Sequence, residues 1–204
     1  MIADMAETSS ADRPLPMLRG DLVWLRAAEK RDFVGGASWV TDLDTAHFLG
    51  VKAPFGADGA EQFAQKVISQ HGREQFSFSI CRLDSDTAIG NVTLRNIDRE
   101  NGNAEVSIVI AEKASQGQGL GTDAMNCLLD FALGELRLER VYLHVFDYNA
   151  RARRSYEKSG FQSEAILRHA RFHRGVHHDV ELMSVVRDDW LRLERRRAWE
   201  GSQA

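Results

Sequence analysis

"SQGQGLGTDAMNCLLDFAL", residues 115–133, places glycines at 117, 119 and 121 and then runs straight into an amphipathic stretch. Alternate glycines strip a loop of side chains and admit left-handed backbone. Set against a helix start, successive main-chain N–H groups form an anion site, strengthened by the positive end of the helix dipole. A plain tight turn with glycines for close packing needs the same residues, so the loop by itself leaves both readings open. Two phosphate loops are excluded on residue identity. A Walker A loop needs a lysine and a Ser/Thr after its last glycine, and Gly121-Thr122 has no such lysine. A dinucleotide fingerprint needs G-x-G-x-x-G. Counted from Gly117 and Gly119, the third glycine falls one position early, at Gly121, and the following strand offers no convincing acidic ribose partner at its end.

Outward from the loop, strand and helix patterns alternate. Upstream, "QFSFSICRL" has period two, with Phe76, Phe78 and Ile80 on one side and Ser77, Ser79 and Cys81 on the other. "AIGNVTLRNI" is the next strand. Asn101-Gly102 marks a hairpin, because both residues tolerate positive φ. In "NAEVSIVIA", Val106, Ile108 and Ile110 share one face, and Glu105, Ser107 and Val109 the other. Downstream, Ala124, Met125, Leu128, Leu129, Ala132 and Leu133 form one helical stripe. "RVYLHVF" is a strand. "NARARRSYEKSGF" is a short helix with Asn149 as N-cap and Gly160 as C′ residue. Ala152, Ser155, Tyr156 and Ser159 lie on one of its faces, and Arg151, Arg154 and Lys158 on another. Strands near 166–172 and 176–185 follow, broken at Arg174-Gly175. Before all of these come a strand over residues 22–26, a helix from near Glu29, and a second helix over residues 58–70. The order predicts an α+β fold with one βαβα passage among antiparallel hairpins.

The chain has 204 residues, 43% of them apolar and 27% charged, which fits one domain with a substantial core. Residues 1–16 carry early acidic residues and no apolar h-region, so they read as a disordered lead and not as a secretory signal. Residues 17–187 read as the domain. Residues 188–204 read as a charged helix or tail, whose Trp190, Leu191 and Leu193 are suited to dock on the domain or on a second subunit. A net charge of −4 gives no nucleic-acid footprint. No apolar run approaches the ~18 residues of a membrane span. Cys81 and Cys127 supply neither a disulfide framework nor ligand spacing, so a reducing, cytoplasmic setting is expected. His169, His173, His177 and His178 straddle a hairpin turn with no ligand pattern, and no metal is expected.

Gln116-Gly117-Gln118-Gly119-Leu120-Gly121 resembles the Q/R-x-x-G-x-G/A acyl-CoA signature of GNAT-type N-acetyltransferases, and it sits between a strand and a long helix as in that family. "VYLHVFDYNARARRSYEKSGF" looks like the family's second signature: a strand, an Asn, a short helix carrying a tyrosine, then Gly-Phe. "NAEVSIVI" and "GVHHDVELMSV" are similar to the RimJ/RimL-type branch and the spermidine acetyltransferases within it. The resemblance is good from about Phe76 to Val186, weaker over residues 17–75 and absent at the ends. It implies a GNAT-like α+β fold: a mixed, mostly antiparallel central sheet of about seven strands flanked by about four helices. It also implies acetyl-CoA as co-substrate, direct transfer to a primary amine with no covalent enzyme intermediate, and a homodimer as the state relatives often adopt.

Site roles follow from the resemblance in the same way. The backbone N–H groups of Gln116, Gly117, Gln118, Gly119, Leu120, Gly121 and Thr122 would hold the coenzyme diphosphate. The fourth and fifth strands of the fold would splay, and the pantetheine arm would pair with Ile108, Val109 and Ile110. Asn149 would hydrogen-bond that arm, although helix capping calls for the same residue type. Arg151 and Arg153 would reach coenzyme phosphates, against their ordinary reading as a solvated basic face. Direct transfer sets two proton tasks. The acceptor ammonium, with a pKa of ~8 for an α-amine or ~10.4 for a lysine-like one, must lose a proton, and the departing thiolate must gain one. Tyr156 matches the family's general acid, the alternative being a packed core tyrosine. Some RimL-like members carry a serine where this chain has Ala152, which leaves the role to Tyr156. Glu105 matches a position that some relatives use as a base through water, the alternative being a solvated strand carboxylate. Cys127 falls inside the helical stripe and reads as core.

Residues 39–63 would build part of the acceptor pocket by analogy. Asp42, Asp44, Asp58 and Glu61 there are either attractors of a cationic amine or ordinary surface acids. The acceptor stays open between a protein N-terminal α-amine, a polyamine and a small-molecule amine. Two rival functions remain at this level. A non-catalytic acyl-CoA-binding regulatory module needs the loop but no tyrosine; a nucleotide-binding α/β domain performs no transfer.

Overall fold

The computed structural model describes residues 18–34 and 56–200. The expected lead, most of segment 39–63 with Asp42 and Asp44, and the last four residues lie outside them. Eight strands form one sheet in the order β1-β2-β3-β4-β5-β6-β8-β7. They are β1 Leu18–Arg19, β2 Val23–Ala27, β3 Phe76–Arg82, β4 Ala88–Asp98, β5 Asn103–Ile110, β6 Arg140–Phe146, β7 Gln162–His173 and β8 Val176–Val186. Neighbours are antiparallel except β5 and β6, which run parallel. The α-helices are α1 Lys30–Val34, α2 Ala57–Gln70, α3 Leu120–Leu129, α4 Ala150–Lys158 and α5 Arg187–Arg192. The α+β class agrees with the sequence reading. The two-residue β1 brings the sheet to eight strands, and α5 brings the described helices to five.

The two faces of the sheet differ in chemistry, as period-two alternation dictates. Phe78, Val92, Leu94, Val106, Val141, Leu143 and Met183 are buried in one cluster with Ala124, Met125, Leu128 and Leu129 of α3. Burying side chains of this size contributes about 1.5–3 kcal/mol each. The opposite face is polar. Arg26, Ser79, Asn91 and Val109 stand across from one another on β2 to β5, followed by the row Ser77, Thr93 and Ser107. The Ser77 and Thr93 hydroxyls lie 3.0 Å apart. At the β2 end this face is covered by α1 and α2 through Ala28, Phe33, Ala64 and Val67.

One local expectation needs correction, and two local details refine the rest. The hairpin marked by Asn101-Gly102 is present and joins β4 to β5. The connection spans residues 99–102, only Gly102 takes positive φ, and the Asp98 carboxylate accepts the N–H groups of Glu100 and Asn101. The stripe through Ala132 and Leu133 leaves α-geometry after Leu129: Asp130–Glu135 is a π-turn, with the Leu136 N–H on the Phe131 carbonyl at 2.9 Å. Asp130 is fully buried there and accepts from Trp190 Nε1 at 2.9 Å, Arg195 Nη2 at 2.5 Å and the Ala198 N–H at 2.7 Å. Those partners come from the C-terminal segment, whose Trp190 and Ala198 belong to the main core while Leu191 is exposed. On the serine side of β3, Ser77 and Ser79 are buried.

Candidate active site

β5 and β6 pair only through Asn103, Ala104 and Glu105 with Arg140, Val141 and Tyr142. Beyond Glu105 they part, because β5 is drawn toward β4 instead. Gly90 of β4 stands opposite Ile110, and a β-carbon on it would lie 2.1 Å from the Val109 carbonyl oxygen. The N–H groups of Ala111 and Glu112 both donate to the Ile89 carbonyl, at 2.8 and 3.1 Å. The Gln116 side chain then fixes the strand end, its Nε2 donating to the Ile110 carbonyl at 2.8 Å. Ile108, Val109 and Ile110 are left with an edge that β6 does not pair. Gly90 was not singled out in the sequence, yet an isolated glycine inside a strand pattern is a signal of close backbone approach.

The glycine loop leads from this slot into α3. Gly117 and Gly119 have φ of 79° and 84°, left-handed values that favour glycine, whereas Gly121 is helical. A β-carbon on Gly117 would meet nothing within 4 Å, so the loop is open above that residue. No side chain caps α3, and its first internal bond is the Asp123 N–H to the Gly119 carbonyl. The N–H groups of Leu120, Gly121 and Thr122 are therefore free to meet an anion. Asp123 would oppose an anion, but its carboxylate is turned to the β1–β2 connection, where it accepts the N–H groups of Asp21, Leu22 and Val23 at 3.2, 2.8 and 2.9 Å. Gly20 makes room for it, since a β-carbon there would sit 2.2 Å from Asp123 Oδ2. From below, Arg82 braces the loop through Ser115 Oγ at 3.0 Å and Gln118 Oε1 at 3.4 Å.

Tyr156 lies on the apolar side of the slot, packed against the main core beside Phe161. Burial pushes its phenol up to about 12. Its hydroxyl has no hydrogen-bond partner among the described residues, so the proton is held and unshared. Asn149 caps α4, its Oδ1 accepting the Ala152 N–H at 3.2 Å, which leaves the amide NH2 unengaged. Arg153 is committed to Glu181 at 2.8 Å and Glu157 at 2.9 Å, while Arg151 is exposed. Both side chains lie at the surface, Arg153 half-exposed within its ion pairs. Cys127 is 2% exposed, and burial pushes its thiol up, so it presents no thiolate.

Glu105 lies on the polar side, at the point where the strands part. It is 9% exposed, so the solvated reading is wrong. Arg95 donates to it through Nη2 at 2.9 Å and Nε at 3.3 Å, and Asn96 Nδ2 donates at 2.8 Å. His144 Nδ1 lies 3.4 Å from its Oε1. Burial raises the Glu105 pKa, but Arg95 and then His144 outweigh it and hold the carboxyl below its ordinary range. Arg95, Asn96 and His144 were missed in the sequence, where nothing in their spacing joins three separate segments. On the same face, beside Ala111 at the end of β5, a cavity of about 340 Å³ is floored by the Arg26–Asp32 pair. Of the acids expected near an acceptor pocket, Asp58 is exposed and Glu61 pairs with Lys30. Among the described residues no group of three or more His, Cys, Asp or Glu side chains is placed to hold a metal. No helix among them is long and apolar enough to cross a membrane.

The chain is similar to known proteins. The acetyltransferase (GNAT) domain family matches residues 23–162. The chain is 31% identical over 118 residues to the probable N-acetyltransferase YjcK of Bacillus subtilis, covering 57% of this chain and 64% of that relative, so under two thirds of its length. It is 31% identical over 134 residues to the spermidine N(1)-acetyltransferase of Vibrio cholerae, covering 66% of this chain and 75% of the relative. The crystal structure of spermidine N-acetyltransferase from Vibrio cholerae in complex with CoA and spermine superposes with a TM-score of 0.75 at 28% identity, over 83% of this chain and 98% of that one. A family match over most of the chain, on a sheet that splays beside a bare helix start, has one meaning: the chain belongs to the GNAT acetyltransferase family.

Proposed function

We propose that this protein is an acetyl-CoA-dependent N-acetyltransferase that moves the acetyl group directly to a primary amine. One observation carries the reading: the β5–β6 slot is bordered by an uncapped helix start, a partly buried, protonated phenol on one face and an ionised carboxylate on the other. The loop suits a diphosphate, with open space above Gly117 and free N–H groups at the start of α3. Ile108, Val109 and Ile110 would receive the pantetheine arm along their unpaired edge, with the Asn149 amide beside it. Acetyl-CoA supplies an activated acyl group, and the chain supplies orientation and proton transfer. Tyr156 is the acid that protonates the departing sulfur. Glu105 anchors the side from which the amine enters.

The acceptor is a polyamine, a protein N-terminal α-amine as in the RimJ/RimL-type branch, or a small-molecule amine; similarity to a protein named for spermidine acetylation favours the polyamine. Cytoplasmic residence belongs to the same proposal, supported by two buried free cysteines, as does a homodimer, supported by the exposed edge strand β7. Calorimetry with acetyl-CoA, followed by thiol release in the presence of spermidine or of α-amino peptides, tests the reading. Uptake with turnover supports it. Uptake without turnover on any amine points instead to a regulatory acyl-CoA-binding module, and no uptake removes both.

A further inference from the structure

Two left-handed glycines make the loop before α3 costly to hold in one shape, because glycine loses more conformational freedom on ordering than any other residue. If its N–H groups are to meet an anion already aligned, the loop needs a hold from outside. Its own glutamines are folded back onto the main chain. Gln116 Nε2 donates to the Ile110 carbonyl at 2.8 Å, and Gln118 Nε2 to the Ala114 carbonyl at 2.6 Å. With Nε2 committed in this way, Gln118 presents its acceptor, Oε1, to Arg82 Nη2 at 3.4 Å. The same Nη2 donates to Ser115 Oγ at 3.0 Å. The Ser115 hydroxyl in turn donates to the Glu112 carboxylate. Ser115 is 1% exposed, so this relay runs through a buried hydroxyl.

Arg82 therefore reaches both flanks of the opening at once. Gly117, above which a β-carbon would meet nothing within 4 Å, lies between Ser115 and Gln118 in the chain. Arg82 itself is fixed from elsewhere. It ends β3 and pairs with Val23 of β2, and its carbonyl accepts Trp24 Nε1 at 2.8 Å from a buried indole. The guanidinium is thus carried by the sheet and not by the loop. It stands 33 and 36 residues before the two groups it holds, so nothing in the loop's own sequence announces it.

We propose that Arg82 is a positioning residue for the coenzyme: by gripping Ser115 and Gln118 together, it pre-forms the N–H cradle that takes the diphosphate. The inference rests on the acetyltransferase reading. Arg82 acts through Ser115 and Gln118 and takes no part in proton transfer. A loop ordered in advance spares the coenzyme the cost of ordering it on arrival. The effect therefore falls on affinity and leaves the chemical step alone. A planar fork of N–H donors suits two neighbouring acceptors, whereas a lysine ammonium is a compact charge on a flexible stem. The grip depends on geometry, and charge alone does not replace it.

The wild-type chain, Arg82→Met and Arg82→Lys are compared by calorimetry with acetyl-CoA and by steady-state kinetics with spermidine and with an α-amino peptide. Nitrogen NMR relaxation of the Gly117 and Gly119 amides is recorded on the same chains without coenzyme. Arg82→Met should weaken acetyl-CoA binding and raise its KM about tenfold, with kcat at saturating coenzyme near the wild-type value. The two glycine amides should gain fast motion, a readout that a merely structural role would not move. Arg82→Lys should fall as far as Arg82→Met. Gln118→Ala, at an exposed position, removes one of the two held groups and should show the same glycine motion with several-fold weaker binding; it carries the test if the Arg82 variants fail to fold. Glycine amides as ordered as in the wild type, unchanged affinity, a loss in kcat equal to the rise in KM, or full recovery in Arg82→Lys would each overturn this inference alone. A wild-type chain that takes up no acetyl-CoA overturns the acetyltransferase reading, and this inference goes with it.

Discussion

The Thr122 hydroxyl lies 2.8 Å from the hydroxyl of Ser155. That contact ties the first turn of α3, where the anion site is, to the helix that carries Tyr156 one residue further on. Diphosphate grip and acid placement are therefore mechanically linked. Thr122→Val and Ser155→Ala should each lower kcat/KM several-fold, and the double variant should be no worse than either alone. The coupling expected for one hydrogen bond is about 1 kcal/mol. Additive losses in a double-mutant cycle would show that the two helices act independently.

The glycines of the loop should separate by backbone conformation. Gly119→Ala forces a β-carbon into left-handed backbone at a cost of about 1–2 kcal/mol, and Gly119→Asp adds an anion where a diphosphate is to bind. Gly121 is helical, and its β-carbon would make ordinary contact with Ile110 at 3.5 Å. Calorimetry should find acetyl-CoA binding abolished in Gly119→Asp, weakened in Gly119→Ala and nearly unchanged in Gly121→Ala.

Gly90 shapes the slot from the far side of β5. A methyl group there would collide with the Val109 carbonyl and drive β5 off β4. Gly90→Ala should lower the melting temperature and also weaken acetyl-CoA binding, although the residue is one strand away from the slot. Weakened stability with unchanged coenzyme affinity would mean that the splay does not depend on this approach.

Much of this was legible in the sequence because it is local. The helix of Tyr156 is marked at both ends, by Asn149 capping it and by Gly160 at φ 93°. The Gly117–Gly119 loop and the strand of Ile108 follow from alternation and turn chemistry. What escaped is long-range. Arg95, Asn96 and His144 converge on Glu105 from two strands and a bulge, and pairing register decides which side chains share a face. The π-turn at Asp130 escaped for the same reason, since its partners lie some sixty residues later in the chain.

Tyr156→Phe should bind acetyl-CoA as the wild type does and lose about 10²-fold in kcat. With the phenol at about 12, the hydroxyl stays protonated across the whole range in which amines become neutral. The wild-type rate should therefore rise toward alkaline pH and show no loss from Tyr156 ionisation below pH 11. A fall near pH 10, or a Phe variant as fast as the wild type, would remove the acid role.

Arg26 and Asp32 form an ion pair at 2.5 Å with side chains only 2% and 7% exposed, and Ser79 donates to the same carboxylate at 2.6 Å. Burial raises the Asp32 pKa, but the bonds from Arg26 and Ser79 outweigh it, and the folded value lies below the ordinary one. A carboxyl depressed in the folded state contributes stability above its unfolded pKa of ~3.9 and loses it as pH falls through the folded value. Asp32→Asn leaves Arg26 buried without a counter-charge and should cost about 3 kcal/mol at neutral pH. Denaturant titrations at several pH values should show the gap between wild type and variant narrowing below pH 4, as the wild type protonates Asp32 and loses the same pair. A gap that stayed constant down to pH 2 would mean that the charge of Asp32 contributes nothing, and that the loss in Asp32→Asn comes from packing alone.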